Sequence, residues 1–140
     1  MSERAFTILE LLVCVGLIGL MGLIAVPAVA RMSGQLSAAN EARRFALALV
    51  AARDEAIRLR TVVRITPTST GFTIDINADD LIEQTVIFQT ATVWDQSVGS
   101  AITFNGLGLA RGIYAAETFA LRSNGATTSV TVNSNGTVSL

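Results

Sequence analysis

The sequence contains no histidine, and all ten of its basic residues are arginines, so lysine is absent as well. Without imidazole, Ser-His-Asp and Cys-His catalysis and histidine-ligated metal sites are excluded. Without a lysine amine, lysine Schiff-base chemistry is excluded. The one cysteine, Cys14, excludes an internal disulfide and a cysteine-rich metal site. The carboxylates show no paired arrangement, and no residue supplies a nucleophile together with a base. We therefore predict that the chain is not an enzyme and has no cofactor.

Charge is scarce too: 15% of the 140 residues are charged, the formal net charge is −1, and 51% of the residues are hydrophobic. A nearly neutral chain creates no field that attracts nucleic acid or an anionic surface. The length is that of one domain. Much of the apolar excess lies in residues 11–30, which contain no charged side chain. This composition favours a membrane-tethered structural or binding protein.

The apolar run of residues 11–30, LLVCVGLIGLMGLIAVPAVA, is long enough to cross a hydrocarbon core of roughly 30 Å as a helix. Three interpretations are open. A secretory signal peptide would be cut after Ala30, at the A-x-A pattern of residues 28–30, but the side chains before the run carry no net positive charge. A plain transmembrane anchor would have to place Glu10 at the membrane interface.

The third interpretation gives Glu10 a role. A carboxylate costs about 2.5–3.5 kcal/mol at the bilayer centre, so an acid in a membrane segment usually has a partner. Cleavage after Ala5 would make Phe6 the new N-terminus, with a positive amine about one helical turn from Glu10. In a helical array, the Glu10 of one subunit would neutralise the amine of its neighbour. Pro27, near the end of the run, would kink the helix.

Residues 5–13, AFTILELLV, follow a short polar start and resemble the class III signal of type IV pilins and type II secretion pseudopilins. The resemblance implies a prepilin leader peptide of residues 1–5, cleavage between Ala5 and Phe6 by prepilin peptidase, and N-methylation of Phe6. It also implies a transmembrane and filament-core helix over residues 6–30, with Glu10 at the assembly position. Ala5 stands where the family usually has Gly, and Pro27 matches a proline common in the family's first helix.

After Arg31 the apolar residues follow steps of three and four, which predicts an amphipathic second half of the same helix over residues 31–60. The predicted buried face consists of Ala38, Ala42, Phe45, Leu49, Ala52, Ala56 and Leu59. Charged residues lie largely off this face, namely Glu41, Arg44, Asp54, Glu55 and Arg58. The arginines are expected to be solvated, with helix pairs of Glu41 with Arg44 and Asp54 with Arg58. The whole helix would be some 75 Å long.

From Thr61 the pattern changes to short strands separated by turn residues. The predicted strands are residues 62–65, 71–76, 85–88, 91–94, 101–104, 118–122, 129–132 and 137–140, and the last two form a hairpin around residues 133–136. Three aromatic residues, Trp94, Phe104 and Phe119, are expected in the core. The predicted fold is α+β and pilin-like, with the long N-terminal helix packed on an antiparallel sheet or sandwich head of residues 61–140.

Three segments of this second half, residues 51–57, 104–108 and 130–138, resemble the H-type minor pseudopilins, the family of type II secretion protein H and FimT-like minor pilins. The resemblance implies a minor subunit at or near the tip of a type II secretion pseudopilus, where it supports protein secretion. It also implies a single-pass inner-membrane precursor with its head in the periplasm. The implied partners are a prepilin peptidase and methylase, other pilins or pseudopilins, the inner-membrane assembly platform and membrane lipid.

The alternative is a FimT-like minor type IV pilin that takes part in pilus assembly or DNA uptake. Binding to a nucleic-acid backbone needs clustered basic side chains. Arg111 and Arg122 are the only basic residues after Arg64, and residues 133–140 contain none. The sequence therefore argues against a nucleic-acid partner.

Oxygen-bearing side chains alternate after one predicted strand in the manner of a Ca²⁺ loop: Asp75, Asn77, Asp79 and Asp80, with Glu83 close by. The loop lacks the glycine of the sixth EF-hand position and has Val86 in place of the bidentate glutamate, so an EF-hand is excluded. We expect a solvated turn here and no metal, with an irregular Ca²⁺ site on those four residues as the alternative.

Overall fold

The computed structural model describes residues 7–89, 91–95, 100–111 and 116–140. These residues form one helix, α1 (Ile8–Leu59), followed by short strands. The strands are β1 (Val63–Thr68), β2 (Gly71–Ile76), β3 (Gln84–Ile87), β4 (Thr92–Trp94), β5 (Ile102–Phe104), β6 (Ala110–Arg111), β7 (Ala116–Ser123), β8 (Ala126–Asn133) and β9 (Val138–Ser139). A long helix packed on antiparallel strands confirms the predicted α+β fold class.

The helix α1 has 52 residues and is therefore about 78 Å long. At its start the Thr7 side chain accepts a hydrogen bond from the Glu10 backbone N–H, which caps the helix. At its end Arg60 adopts a left-handed conformation (φ 54°), and its N–H bonds to the carbonyls of Ala56 and Ile57. Pro27 lies inside the helix, and a kink at that residue stays a prediction.

The two halves of α1 have different environments. None of residues 8–33 is buried, although most of them are apolar. Burial begins at Gly34, where a Cβ atom would approach the Ser123 carbonyl oxygen to 2.7 Å and the Asn124 Cβ to 2.8 Å. Gly34 thus marks the point where the helix reaches the head.

The second half of α1 buries one face against both sheets. Six of the seven residues predicted on that face are buried: Ala38, Ala42, Phe45, Leu49, Ala52 and Ala56. The prediction is wrong for Leu59, which is 44% exposed, because the helix ends at this residue. The face is also wider than predicted, since Ala46 and Glu41 are buried as well.

The prediction that Glu41 lies off the buried face is wrong, because Glu41 is buried. Its side chain is 4% exposed, and both of its carboxylate oxygens accept from Arg44 Nη1, at 2.8 and 3.1 Å. The carboxylate also accepts from the backbone N–H of Gln89 at 3.1 Å. Glu41 is therefore buried because it satisfies a backbone donor just after β3.

The predicted pair of Asp54 with Arg58 is replaced by a pair of Glu55 with Arg58, in which Arg58 Nε donates to Glu55 Oε2 at 2.9 Å. Hydrogen bonding from the guanidinium lowers the pKa of the Glu55 carboxyl and raises the pKa of Arg58. Asp54 is left exposed. Both pairings follow helix spacing, and such exposed pairs add little to stability.

The strands form two antiparallel sheets in the described part of the chain. Sheet 1 has the order β3-β2-β1-β5-β6, and sheet 2 has the order β4-β7-β8-β9. The predicted C-terminal hairpin is present, with Thr131 opposite Ser139 and Val132 opposite Val138. The two-residue strand β6 was not predicted, and β1 continues through Pro67, where the sequence pattern predicts its end.

The two sheets and the helix meet in an aromatic core around Phe45. Its ring contacts Phe72, Trp94 and Phe119 edge to face, with centroids 5.1, 5.0 and 5.6 Å apart. Trp94 Nε1 donates to the carbonyls of Thr68 and Gly71 at 2.8 and 3.1 Å, which joins sheet 2 to the β1–β2 hairpin of sheet 1. Packing in the core is thus confirmed for Trp94 and Phe119. It is also confirmed for Phe104, which is fully buried.

Candidate functional site

The first candidate site is the start of α1, where the sequence predicts processing and assembly. Glu10 lies in the first helical turn and is exposed. Its backbone N–H is held by the Thr7 hydroxyl at 3.3 Å and by the Thr7 carbonyl at 3.1 Å. The carboxylate has no ion pair with any residue that the structure describes. Ala5 and Phe6, the predicted cleavage and methylation residues, lie outside the described residues.

An exposed apolar surface continues from Glu10 along the helix. We call residues 8–33 the apolar segment; its large hydrophobic side chains are 53% to 82% exposed. Such a surface requires a cover of lipid or protein. By length and composition, α1 could cross a membrane, and the segment alone is about 39 Å long against a hydrocarbon core of roughly 30 Å.

The three head segments that resemble the H-type pseudopilins pack on one another. Arg53 Nε, from the helix, donates to the Gly108 carbonyl at 3.0 Å. The Ser134 carbonyl of the C-terminal hairpin accepts from the Ala110 N–H at 3.1 Å. A Cβ on Gly136 would overlap the Gly108 carbonyl oxygen. These motifs therefore close the head around the end of the helix, a role that their sequence alone did not reveal.

The loop before β6 has its own internal support. Asn105 Oδ1 accepts from the backbone N–H groups of Leu107 and Leu109, both at 3.0 Å. Gly108 is in the left-handed region (φ 76°), and a Cβ there would press on the side chains of Ile57 and Arg53. The asparagine and the glycine of this motif thus fix the loop against α1.

The structure brings only two of the four candidate Ca²⁺ ligands together. Asp75 and Asp79 do come together, and Glu83 completes a cluster with one carboxylate oxygen from each residue, all within 4.8 Å of one another. The other two are engaged elsewhere, because Asn77 Oδ1 accepts from the Thr61 hydroxyl at 2.6 Å and Asp80 pairs with Arg64 at 2.6 Å. The residues that could hold a metal are therefore Asp75, Asp79 and Glu83.

The two basic residues that follow Arg64 in the sequence do not share a strand or a sheet. Arg111 is on β6 in sheet 1 and Arg122 is on β7 in sheet 2. Arg122 is also paired with Asp95 at 3.3 Å. This placement gives no support to a basic stripe of the kind that backbone binding to nucleic acid requires.

An exposed apolar helix whose second half packs on a two-sheet head is the architecture of a pilin-type fold. The solved structures agree: the type IV minor pilin FimU of Pseudomonas aeruginosa (strain PAO1) matches with a TM-score of 0.61 and 20% identity, over 74% of this chain and 87% of FimU. A second crystal form of FimU gives a TM-score of 0.58 and 20% identity, over 72% of this chain and 90% of FimU. At this identity the match shows the fold.

The family follows from the sequence of the head. The family model described as type II transport protein GspH matches residues 41–136, and the chain therefore belongs to the GspH family. No curated protein matches it. The predicted family is thus confirmed, and the chain is a pilin-like structural subunit that assembles with other pilins or pseudopilins. Because the family and the fold neighbour are structural subunits, the prediction that the chain is not an enzyme is confirmed too.

Proposed function

We propose that the chain is a minor pseudopilin at or near the tip of a type II secretion pseudopilus, where it supports protein secretion. The observation that carries this proposal is the apolar segment, in which no residue is buried, together with Glu10, an exposed acid that has no ion pair with any residue that the structure describes. The membership of the GspH family supports the type II machine and the minor role.

The start of the helix supports prepilin processing between Ala5 and Phe6. The helix begins at Ile8 with Thr7 as its cap, so the proposed cut falls just before the helical segment. Cleavage there by a prepilin peptidase, followed by N-methylation, leaves a positive amine about one helical turn from Glu10. A negative charge in the first turn is favourable for the helix dipole, and the neighbour's amine is its partner in the filament.

The apolar segment serves in two environments. Before assembly it spans the inner membrane once, with the head in the periplasm, and it is covered by lipid. During assembly the inner-membrane platform transfers it into the filament, where helices of other pseudopilins replace the lipid. Small residues at Gly16, Gly19 and Gly22 allow those helices to approach closely.

Deletion of the gene in the native host tests the proposed machine. We expect export of the type II substrates to fall well below the wild-type level, because the pseudopilus lacks a subunit, while surface pili and pilus-driven motility stay at wild-type levels. Complementation with the wild-type gene is the control and restores secretion.

The shared fold with a type IV minor pilin makes a minor type IV pilus subunit the second candidate function. For that candidate the deletion gives the reverse result, in which pili are lost and secretion is intact. The reverse result would overturn the proposed role in secretion.

A further inference from the structure

We propose that the turn between β2 and β3 binds one Ca²⁺ ion through the carboxylates of Asp75, Asp79 and Glu83. One oxygen from each lies within 4.8 Å of the others. Calcium takes oxygen ligands at 2.3–2.6 Å, so two ligands on opposite sides of one ion are about 5 Å apart. Three oxygens within 4.8 Å therefore fit around a single ion.

Each of the three carboxylates uses one oxygen to hold the turn. Asp75 Oδ2 accepts from the backbone N–H of Asp80 at 3.1 Å, and Asp79 Oδ1 accepts from that of Leu81 at 3.1 Å. Glu83 Oε2 accepts from the backbone N–H of Ile76 at 2.6 Å. The backbone thus fixes all three side chains before any ion binds, which lowers the cost of binding.

One carboxylate oxygen of Asp75 supports a bound cation, because it is buried and has no hydrogen-bond partner in the described part of the chain. Asp75 is 5% exposed, and its Oδ1 is buried without a hydrogen-bond partner among the residues that the structure describes. A buried carboxylate oxygen left unsatisfied is costly. A cation bound to the Asp75 carboxylate would supply the partner that this oxygen lacks.

The local charge favours a dication. The turn carries four carboxylates, and Arg64 is the cation that contacts them, at 2.6 Å from Asp80 Oδ1 and 3.5 Å from Asp75 Oδ2. No ion pair of Asp79 or Glu83 is present in the described part of the chain. One Ca²⁺ ion would neutralise two of the remaining three negative charges. Calcium is favoured over Mg²⁺ because it accepts irregular oxygen geometry, whereas Mg²⁺ requires a near-ideal octahedron.

The site is independent of the machine in which the subunit works, because its ligands belong to the head alone. Asn77 and Asp80 anchor the turn to Thr61 and Arg64 instead of binding the ion. The bound ion ties the β2–β3 turn to sheet 1 and stabilises the head.

The experiment uses the full-length protein in detergent micelles, freed of metal with a chelator, and follows thermal unfolding by the fluorescence of Trp94. With an affinity in the range of extracellular calcium modules, about 10⁻⁴–10⁻³ M, we expect Ca²⁺ at ten times the Kd to raise the Tm by roughly 5 °C. Asp79→Asn and Glu83→Gln keep an oxygen for the backbone but lose the charge, and we expect them to abolish the rise.

Asp54→Asn is the matched control, since Asp54 is exposed on α1 and outside the cluster; it should keep the full Ca²⁺ response. A wild-type Tm that does not change up to about 10 mM Ca²⁺, well above that affinity range, would overturn the proposal. An equal response in Asp79→Asn and Asp54→Asn would also overturn it. An equal rise with Mg²⁺ would contradict the assignment to calcium.

Discussion

Glu10→Val is expected to leave the chain processed and inserted in the membrane but to remove it from the filament. In the proposed assembly, the variant leaves the amine of a neighbouring subunit without a partner in an apolar core. An unpaired charge there costs about 2.5–3.5 kcal/mol, so we expect incorporation to fall on the order of 100-fold. Valine also makes the segment more stable in lipid, which further lowers incorporation into the filament.

Two further variants test whether the effect depends on the charge of Glu10 and on its position in the chain. Glu10→Gln keeps the side-chain volume and should lose incorporation nearly as strongly as Glu10→Val. Glu117→Gln makes the same chemical change on β7 in the head and should be incorporated normally. Immunoblots of sheared filaments and of membranes give the incorporated and membrane fractions. Normal incorporation of Glu10→Val would exclude the charge-pair mechanism.

Gly136→Ala is expected to destabilise the head by about 2–5 kcal/mol, which is a large part of the stability of a small domain. Gly136 has φ 78°, and a Cβ would overlap the Gly108 carbonyl oxygen and approach Arg53 Nε to 2.9 Å. The C-terminal hairpin would have to move away from the loop before β6, and the contacts between the hairpin and this loop would be lost.

Gly125→Ala is the matched control for this prediction. Gly125 has φ 82°, but a Cβ there meets nothing within 4 Å, so only the backbone cost of about 1–2 kcal/mol remains. Urea unfolding followed by the fluorescence of Trp94, the one tryptophan of the chain, measures both variants. Equal losses in the two variants would contradict the predicted cost of the overlap between a Cβ at residue 136 and the Gly108 carbonyl oxygen.

Several parts of this fold were predictable because they depend on local periodicity. The steps of three and four from Ala38 to Ala56 predict the buried face of α1, since helix geometry alone determines which side chains share a face. The turn residues 133–136 predict the last hairpin in the same way. The resemblance of residues 5–13 to pilin signals rests on a contiguous motif and needs no tertiary information.

The errors lie where distant residues decide the outcome. Glu41 is buried because its carboxylate bonds to the Gln89 N–H, 48 residues away, which helix periodicity does not encode. Asn77 and Asp80 fit a calcium loop by spacing, but Thr61 and Arg64 engage them. Glu83 takes their place because β2 and β3 are paired, with Ile74 opposite Gln84, which brings the end of the turn back to its start.

The N-terminus of the mature protein tests the central claim most directly. Intact mass and N-terminal sequencing of the protein from membranes of its native host give the residue at which the chain begins. Our account predicts a chain that begins at N-methylated Phe6, with the apolar segment retained. A chain that begins at Arg31 would mean that residues 11–30 are an ordinary signal peptide, and it would contradict assembly through the helix.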